Sequence, residues 1–399
     1  DAGWASVGIM HGFDFELSTN IHFGKGKIQG LPEEILKFGC RILLVYDVAA
    51  GRKSGAYEEV RALCKEHHIH VTEFTGIEQN PKHTAVNEGV RLLKECGAEC
   101  IVALGGGSTI DTAKAIGFSV FHNGSCWDFY EKKAVVTKMV PVISVPTIAA
   151  SGSEVSNMSI ISNVKEKRKL DCQSDMERPV AAFIDPSYTY SVPPFETACG
   201  IISIMSNAYE GYFSRAAGEI QDGISEAIQR SCILHGRRVM ACPCSYESRA
   251  QLLWSASLAI THLSDCGREY AGCVHSIEHA LSAFLDISHG VSLAIASLAW
   301  FKYALCDETA PRFARWGRNV WGINAGKDDF AIGVEAVKRF EAFIRELNLP
   351  ARLSEIGIKI PEKAAVQMAH RIYPAIDGAA WFRPLSGEDD LAEVFRLAC

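Results

Sequence analysis

The sequence predicts an α/β domain with a parallel sheet, followed by an all-helical domain. Three observations carry this reading. Short apolar runs alternate with helical stretches up to about residue 185, a glycine run stands where one such strand turns into a helix, and beyond Asp185-Pro186 only long amphipathic stretches follow. At 399 residues, 48% hydrophobic and 22% charged, the chain has material for two buried cores.

In order, an extended opening (Phe13 to Thr19) leads to a buried strand, Arg41 to Asp47 (RILLVYD), a helix over Tyr57 to His67 and a second strand, His70 to Phe74. Lys82 to Cys96 has helical periodicity, Cys100 to Leu104 (CIVAL) is a third strand, Asp111 to Val120 is a helix, and Val140 to Val145 is a further apolar strand. Strands separated by helices imply a parallel sheet covered on both faces. The amphipathic stretches that follow are Ala198 to Ala217, Ile220 to Met240, Arg249 to His262, Val274 to Phe284 and Val334 to Leu347. Pro186, Pro193 and Pro194 punctuate the change, which places a domain boundary near 185 to 195 and gives domains 1–188 and 189–399.

A net charge of -7 speaks against a nucleic-acid partner, which would need clustered positive charge. No apolar run reaches the roughly 18 residues that span a bilayer, and no secretory signal opens the chain, so a cytoplasmic protein without a membrane partner is expected. The first patterned segment begins just after Met10, a candidate native start. The 14 cysteines are scattered without a paired C-x-x-C, and reduced thiols are the expected state.

The sharpest local signal is GGGSTIDTAK, Gly105 to Lys114, directly after the CIVAL strand and opening a helix. Glycines let the backbone approach a ligand, and the free N–H groups of a helix start favour a pyrophosphate. PTIAASGSE, Pro146 to Glu154, follows the next apolar strand with hydroxyls suited to phosphate or ribose. Asp47, at the carboxyl end of its strand, suits a ribose 2′-OH and would repel a 2′-phosphate, or else it caps a helix. NAD is therefore expected over NADP, with Arg52 and Lys53 close enough to leave NADP open.

Taken together, these segments resemble the iron-containing alcohol dehydrogenase family, in particular its butanol-dehydrogenase-like branch. The resemblance extends through STNIHFGKG (Ser18 to Gly26), Asn80-Pro81, FIDP (Phe183 to Pro186), TACG (Thr197 to Gly200), YEGYFS (Tyr209 to Ser214), HSIEHALSAFLDISHG (His275 to Gly290) and VWGI (Val320 to Ile323). It implies a Rossmann-like N-terminal domain and an all-α C-terminal domain, the dehydroquinate-synthase-like fold, often dimeric. By position it assigns Gly106, Gly107, Ser108 and Asp111 to the pyrophosphate region, Thr147 and Ser151 to the phosphates and nicotinamide, Lys169 to a ribose, and Asp47 to cofactor selection.

The same resemblance implies a divalent metal, iron or zinc, held by an Asp and a His four residues later on one helix and by two histidines fourteen residues apart. The second pair is present as His275 and His289, and His279 matches a family histidine near cofactor and substrate. The first pair is replaced by Ser203 and Asn207, a hydroxyl and an amide that are poor ligands for Fe²⁺ or Zn²⁺, so a weakened or absent metal is expected. His262, Asp265, Cys266 and Cys273 are the residues from which substitute ligation would come. His275 to His279 also fits the H-x-x-E-H pattern of inverted zinc peptidases, against a much longer family match. The resulting expectation is an NAD(P)-dependent oxidoreductase that interconverts a small alcohol and aldehyde, with His275, His279 and His289 as candidates for acid catalysis or oxyanion stabilisation. The alternative is a non-catalytic relative that keeps the nucleotide pocket for sensing or scaffolding.

Overall fold

The computed structural model describes residues 10–215, 218–285, 287–324, 326, 328–376, 379 and 381–399. The first part runs β1 (Asn20–Phe23), α1 (Leu31–Leu36), β2 (Arg41–Tyr46), α2 (Val48–Ser54), α3 (Ala56–Glu66), β3 (His70–Phe74), α4 (His83–Cys96), β4 (Cys100–Gly105), α5 (Gly107–Ser119), α6 (Trp127–Tyr130), β5 (Val142–Pro146), β6 (Met158–Asn163), β7 (Arg168–Gln173) and β8 (Ala181–Ile184). Helices α7 (Pro194–Tyr212), α8 (Glu219–Ala241), α9 (Tyr246–Ile260), α10 (Cys273–Leu285), α11 (His289–Ala304), α12 (Ala310–Asn319), α13 (Asp329–Glu346), α14 (Glu362–Ile376) and α15 (Glu388–Leu397) follow.

Six strands form one parallel sheet in the order β1-β8-β5-β4-β2-β3, while β6 and β7 make a separate antiparallel hairpin. The central strands read as unbroken apolar runs because helices cover both faces. Leu43, Val45, Ile101 and Ala103 pack with Val86 of α4 and Ile116 of α5, whereas Ile42, Leu44, Val102 and Leu104 pack with Ile35 of α1 and Val60 of α3. The extended opening expected at Phe13 to Thr19 is not a strand; pairing with β8 begins at Asn20.

Compactness groups the chain into an α/β unit, 16–197 with 241–261, and a helical unit, 10–15 with 198–240 and 262–399. These units differ from the contiguous division 1–188 and 189–399, because α9 belongs to the α/β unit. There Ser257 Oγ donates to Glu154 Oε1 at 2.7 Å, Arg249 Nη1 donates to Thr197 Oγ1 at 3.1 Å, and Gly152 lies so close that a Cβ on it would stand 2.5 Å from the Ala256 carbonyl oxygen.

The helical unit is organised around α7. Phe213 packs against Phe301, Phe313 and Trp316. The α7 end is held by Arg312, whose Nε donates to the Tyr212 carbonyl at 2.8 Å while Nη1 donates to the fully buried Asp222 at 2.6 Å. Of the expected helix over Ala198 to Ala217, the part up to Tyr212 is helical and residues 216 and 217 lie outside the described residues. The helix expected to reach His262 stops at Ile260, and His262 has φ 60°. No helix among the described residues is long and apolar enough to cross a membrane. No disulfide joins two described cysteines.

Candidate active site

In the α/β unit the glycine motif sits at the carboxyl edge of the sheet, where ligands of open parallel sheets bind. Gly105 pairs with Pro146 in the β4–β5 register, Thr147 N donates to Gly105 O at 3.1 Å, and Asp47 N donates to Leu104 O at 3.1 Å, so three of the expected segments meet side by side. Gly106 precedes α5 without a side-chain cap; the Thr109 N–H donates to the Gly106 carbonyl at 3.0 Å, which leaves the N–H groups of Gly107 and Ser108 for an anion. A Cβ on Gly107 would stand 2.4 Å from Ser151 Oγ and one on Gly106 3.0 Å from Ile148 Cγ2, so the glycines are what let the 147–151 loop close onto the helix start. Gly106, Gly107, Ser108 and Ser151 retain partial exposure, whereas Thr147 is buried.

Asp111 and Asp47 each have a partner within the protein at this edge. Asp111 Oδ1 accepts from Ser153 Oγ at 2.5 Å and Oδ2 from Ile160 N at 3.1 Å. Burial pushes its carboxyl above the usual carboxylate range, with the ammonium of Lys114 opposing. Lys114, buried and not assigned a role from sequence, donates to Ser153 Oγ at 3.0 Å, Ser156 O at 2.9 Å and Met158 O at 3.0 Å, tying α5 to the start of β6. Asp47 is the cap of α2, its Oδ1 accepting from Ala50 N at 2.8 Å. Arg52 lies over the Tyr57 ring, 4.5 Å from its centroid, and 3.9 Å from Glu58. Lys169 stands opposite Ser162 in the β6–β7 hairpin.

In the helical unit, α10 puts His275, Glu278 and His279 on one face, at i, i+3 and i+4. His289 begins α11, which lies directly on α7: a Cβ on Gly290 would stand 2.3 Å from Cys199 Cβ. The three imidazoles gather, with centroids 6.1 Å apart for His275 and His289 and 6.3 Å for His275 and His279. Two buried carboxylates stand behind them. Glu210 Oε1 lies 2.8 Å from His275 N and 2.9 Å from its Nδ1; Glu278 Oε1 lies 3.0 Å from His289 Nδ1 and accepts from Ser282 Oγ at 2.6 Å and Ser292 Oγ at 2.8 Å. Its Oε2 lies 3.6 Å from His279 Nε2.

A carboxylate only accepts, so Nδ1 of His275 and of His289 carries the proton and Nε2 is the atom each ring presents away from its carboxylate. Sequence reasoning assigned no role to Glu210 and met Glu278 only as part of a peptidase pattern. The available signal was spacing: Glu210 is three residues after Asn207 and Glu278 three after His275, each on the site face of its helix.

The α7 face through Cys199, Ser203, Asn207 and Glu210 runs from the Gly290 contact to the His275 contact, so Ser203 and Asn207 lie on it between those two contacts. Ser203 is buried, and Asn207 is partly exposed on a stretch of α7 otherwise buried from Ile201 to Phe213. His262 and Asp265 pair with each other, Nδ1 to Oδ2 at 2.8 Å, and Asp265 packs where Gly211 leaves room for it. Among the described residues no three His, Cys, Asp or Glu side chains gather in a way that could hold a metal ion.

A parallel sheet with a glycine-lined helix start, joined in one chain to a helical unit with clustered histidines, defines the class of nicotinamide-dependent dehydrogenases with a helical C-terminal domain. The chain matches the iron-containing alcohol dehydrogenase profile over residues 18–186 and the C-terminal profile of the Fe-containing alcohol dehydrogenase family over 197–397. It is 39% identical over 388 residues to NADH-dependent butanol dehydrogenase A of Clostridium acetobutylicum, covering 97% of this chain and 99% of that one. It is 30% identical over 353 residues to an NADPH-dependent aldehyde reductase of Escherichia coli, covering 88% and 90%. The crystal structure of NADH-dependent butanol dehydrogenase A from Thermotoga maritima is similar with a TM-score of 0.91 at 30% identity, covering 98% and 99% of the two chains. The protein belongs to the iron-containing alcohol dehydrogenase family, and it is an NAD(P)-dependent enzyme of the alcohol dehydrogenase and aldehyde reductase kind.

Proposed function

We propose that this enzyme reduces a small aldehyde to its alcohol, or runs the reverse, with NAD(H) preferred, through a centre whose metal site is weakened or lost. The observation that carries the proposal is the histidine cluster backed by two buried carboxylates beside an α7 face that presents Ser203 and Asn207. No comparison favours a non-catalytic relative.

The nucleotide edge fits a dinucleotide: Gly106, Gly107 and Ser108 at the α5 start would take the pyrophosphate, Thr147 and Ser151 would line its path, and Lys169 would meet a ribose. Bound NADH would supply the hydride that reaches the carbonyl carbon. Asp111 would serve this edge by holding Ser153 rather than by touching phosphate. Asp47 favours NAD, since a 2′-phosphate would face its carboxylate, in keeping with the NADH named for the butanol dehydrogenases.

The donors do not fit a tightly held transition metal. Fe²⁺ or Zn²⁺ would find two imidazoles, an alcohol and an amide in place of a set with a carboxylate and three imidazoles, and ligand charge and donor type set affinity. The polarising role falls to the imidazoles. Glu210 and Glu278 orient His275 and His289, and the proton that completes the alcohol at the substrate oxygen comes from the Nε2–H of a doubly protonated histidine, whose positive charge the carboxylate behind it offsets, with His279 as a neighbour able to stabilise developing negative charge. The division into a nucleotide domain, 1–188, and a substrate domain, 189–399, a homodimer and a cytoplasmic location complete the proposal.

NADH oxidation over short-chain aldehydes, with and without chelator, tests it together with elemental analysis of protein prepared with iron and zinc present. Chelator-insensitive turnover is expected. Stoichiometric tightly bound metal would overturn the weakened site, and absence of turnover with every aldehyde and alcohol would favour the non-catalytic alternative. Ser203→Asp with Asn207→His should raise metal content; an unchanged content would sink the placement of those two positions.

A further inference from the structure

The turn that joins α8 to α9 reads Cys242-Pro243-Cys244-Ser245. Ser245 N donates to the Cys242 carbonyl at 3.1 Å, which closes a β-turn with Pro243 at its second position, where the fixed φ of proline fits. The first and third residues of such a turn have Cα atoms roughly 5.5 Å apart, inside the span that a disulfide bridges. Arg249, buried on α9, donates through Nε to the Pro243 carbonyl at 2.8 Å and through Nη1 to Thr197 Oγ1 at 3.1 Å. The backbone that carries both thiols is therefore anchored to the start of α7.

Exposure and charge set this pair apart from the other cysteines. Of the 14 cysteines only Cys40, Cys242 and Cys244 are exposed, and two of these three share one turn. Burial pushes the thiols of Cys64, Cys100, Cys126, Cys232 and Cys273 up, which keeps them inert. Burial also pushes the Arg249 guanidinium below its usual range, and Cys244 and the Tyr190 phenol oppose that shift, so a sulfur anion formed on Cys244 has a fixed cation beside it. A disulfide across this turn closes a very short loop and stays exposed. It takes little entropy from the unfolded chain and belongs to the easily reduced kind rather than the structural kind.

We propose that Cys242 and Cys244 form a reversible dithiol–disulfide site that exchanges with small-molecule disulfides. The Cys244 thiolate attacks one sulfur of the small disulfide; a bond to Cys244 forms, the original S–S bond breaks, and the thiolate released takes up the proton that Cys244 gave up. The Cys242 thiolate then attacks the Cys244 sulfur of the mixed disulfide and expels the second small thiolate, which takes the Cys242 proton. Two protein thiols are oxidised to one disulfide, and the small disulfide is reduced to two thiols. The exchange needs neither nucleotide nor aldehyde, so it stands independently of the catalytic reading.

Equilibration of the full chain in glutathione buffers of increasing oxidised fraction, followed by alkylation of the remaining thiols and peptide mass mapping, tests the site. The two thiols should disappear together into an intrachain bond before Cys40 is modified, and return in full with dithiothreitol. Cys242→Ser and Cys244→Ser should each abolish that bond and hold glutathione on the remaining cysteine, while Cys40→Ser leaves the bond unchanged. Glutathione should join Cys244 in Cys242→Ser several-fold faster than it joins Cys242 in Cys244→Ser, given the Arg249 charge beside Cys244; equal rates overturn Cys244 as the attacking thiol. Persistent glutathione adducts on both cysteines of the parent, a bond between two chains in place of the intrachain one, or oxidation of Cys40 ahead of the pair overturns the site itself.

Discussion

Replacing Lys114 with Met isolates the interaction that holds the nucleotide edge together. The ammonium is fully buried and meets three acceptors at 2.9–3.0 Å, two of them backbone carbonyls of the stretch leading into β6. Each such bond to a charged donor contributes about 1.5–3 kcal/mol. Against that sum stands the desolvation of the ammonium, which the variant no longer bears. Removing one partner of a buried charge network leaves the others uncompensated, however, here the Asp111 carboxylate and the Ser156 and Met158 carbonyls, at a typical net cost of about 3–5 kcal/mol. At about 2–4 °C per kcal/mol, melting should fall by roughly 6–20 °C. Differential scanning calorimetry and urea unfolding measure this directly, and Asp111→Asn with the double variant completes a cycle in which a coupling well above about 0.5 kcal/mol is expected. A loss below about 1 kcal/mol for Lys114→Met would refute the view that this lysine organises the edge.

Two further outcomes are expected. Glu177 is fully buried, and burial raises its carboxyl from 4.5 to about 8; the folded chain therefore holds a proton that the unfolded chain releases above its ordinary value. Its contribution is fully present below about 4.5 and is lost as pH rises through about 8, with a span on the order of 5 kcal/mol. Glu177→Gln should flatten the pH dependence of urea unfolding across that window, and an unaltered curve would remove this residue as its source. Gly152→Ala should cost about 2–4 kcal/mol, because alanine at φ +71° is strained and its Cβ would stand 2.5 Å from the Ala256 carbonyl oxygen. Equilibrium unfolding within about 0.5 kcal/mol of the parent would show that α9 moves aside freely.

The parallel sheet was legible because its central strands are buried on both faces, so Arg41–Tyr46 and Cys100–Gly105 stand out as apolar runs. The glycine motif was legible for a related reason: a backbone that must approach a ligand and a neighbouring loop has few alternatives to glycine. Helix α11 was not, since nearly every side chain from Gly290 to Ala304 is buried and no amphipathic period remains to read. The β6–β7 hairpin escaped notice because MSIISN and RKLDCQ carry no clean alternation.

What the sequence by itself determined is the family, the α/β-then-helical order and the glycine-lined helix start, because each of these is a matter of residue type and local spacing. What only the tertiary structure decided is which groups those residues meet. A carboxylate has no local signature that says whether it will face phosphate, cap a helix or orient an imidazole; that depends on neighbours distant in the chain. Thus Asp111 turns to Ser153 and Ile160, Glu210 meets His275 across 65 positions, Glu278 receives His289 and two serines, and α9 returns to the α/β unit through Glu154 and Gly152.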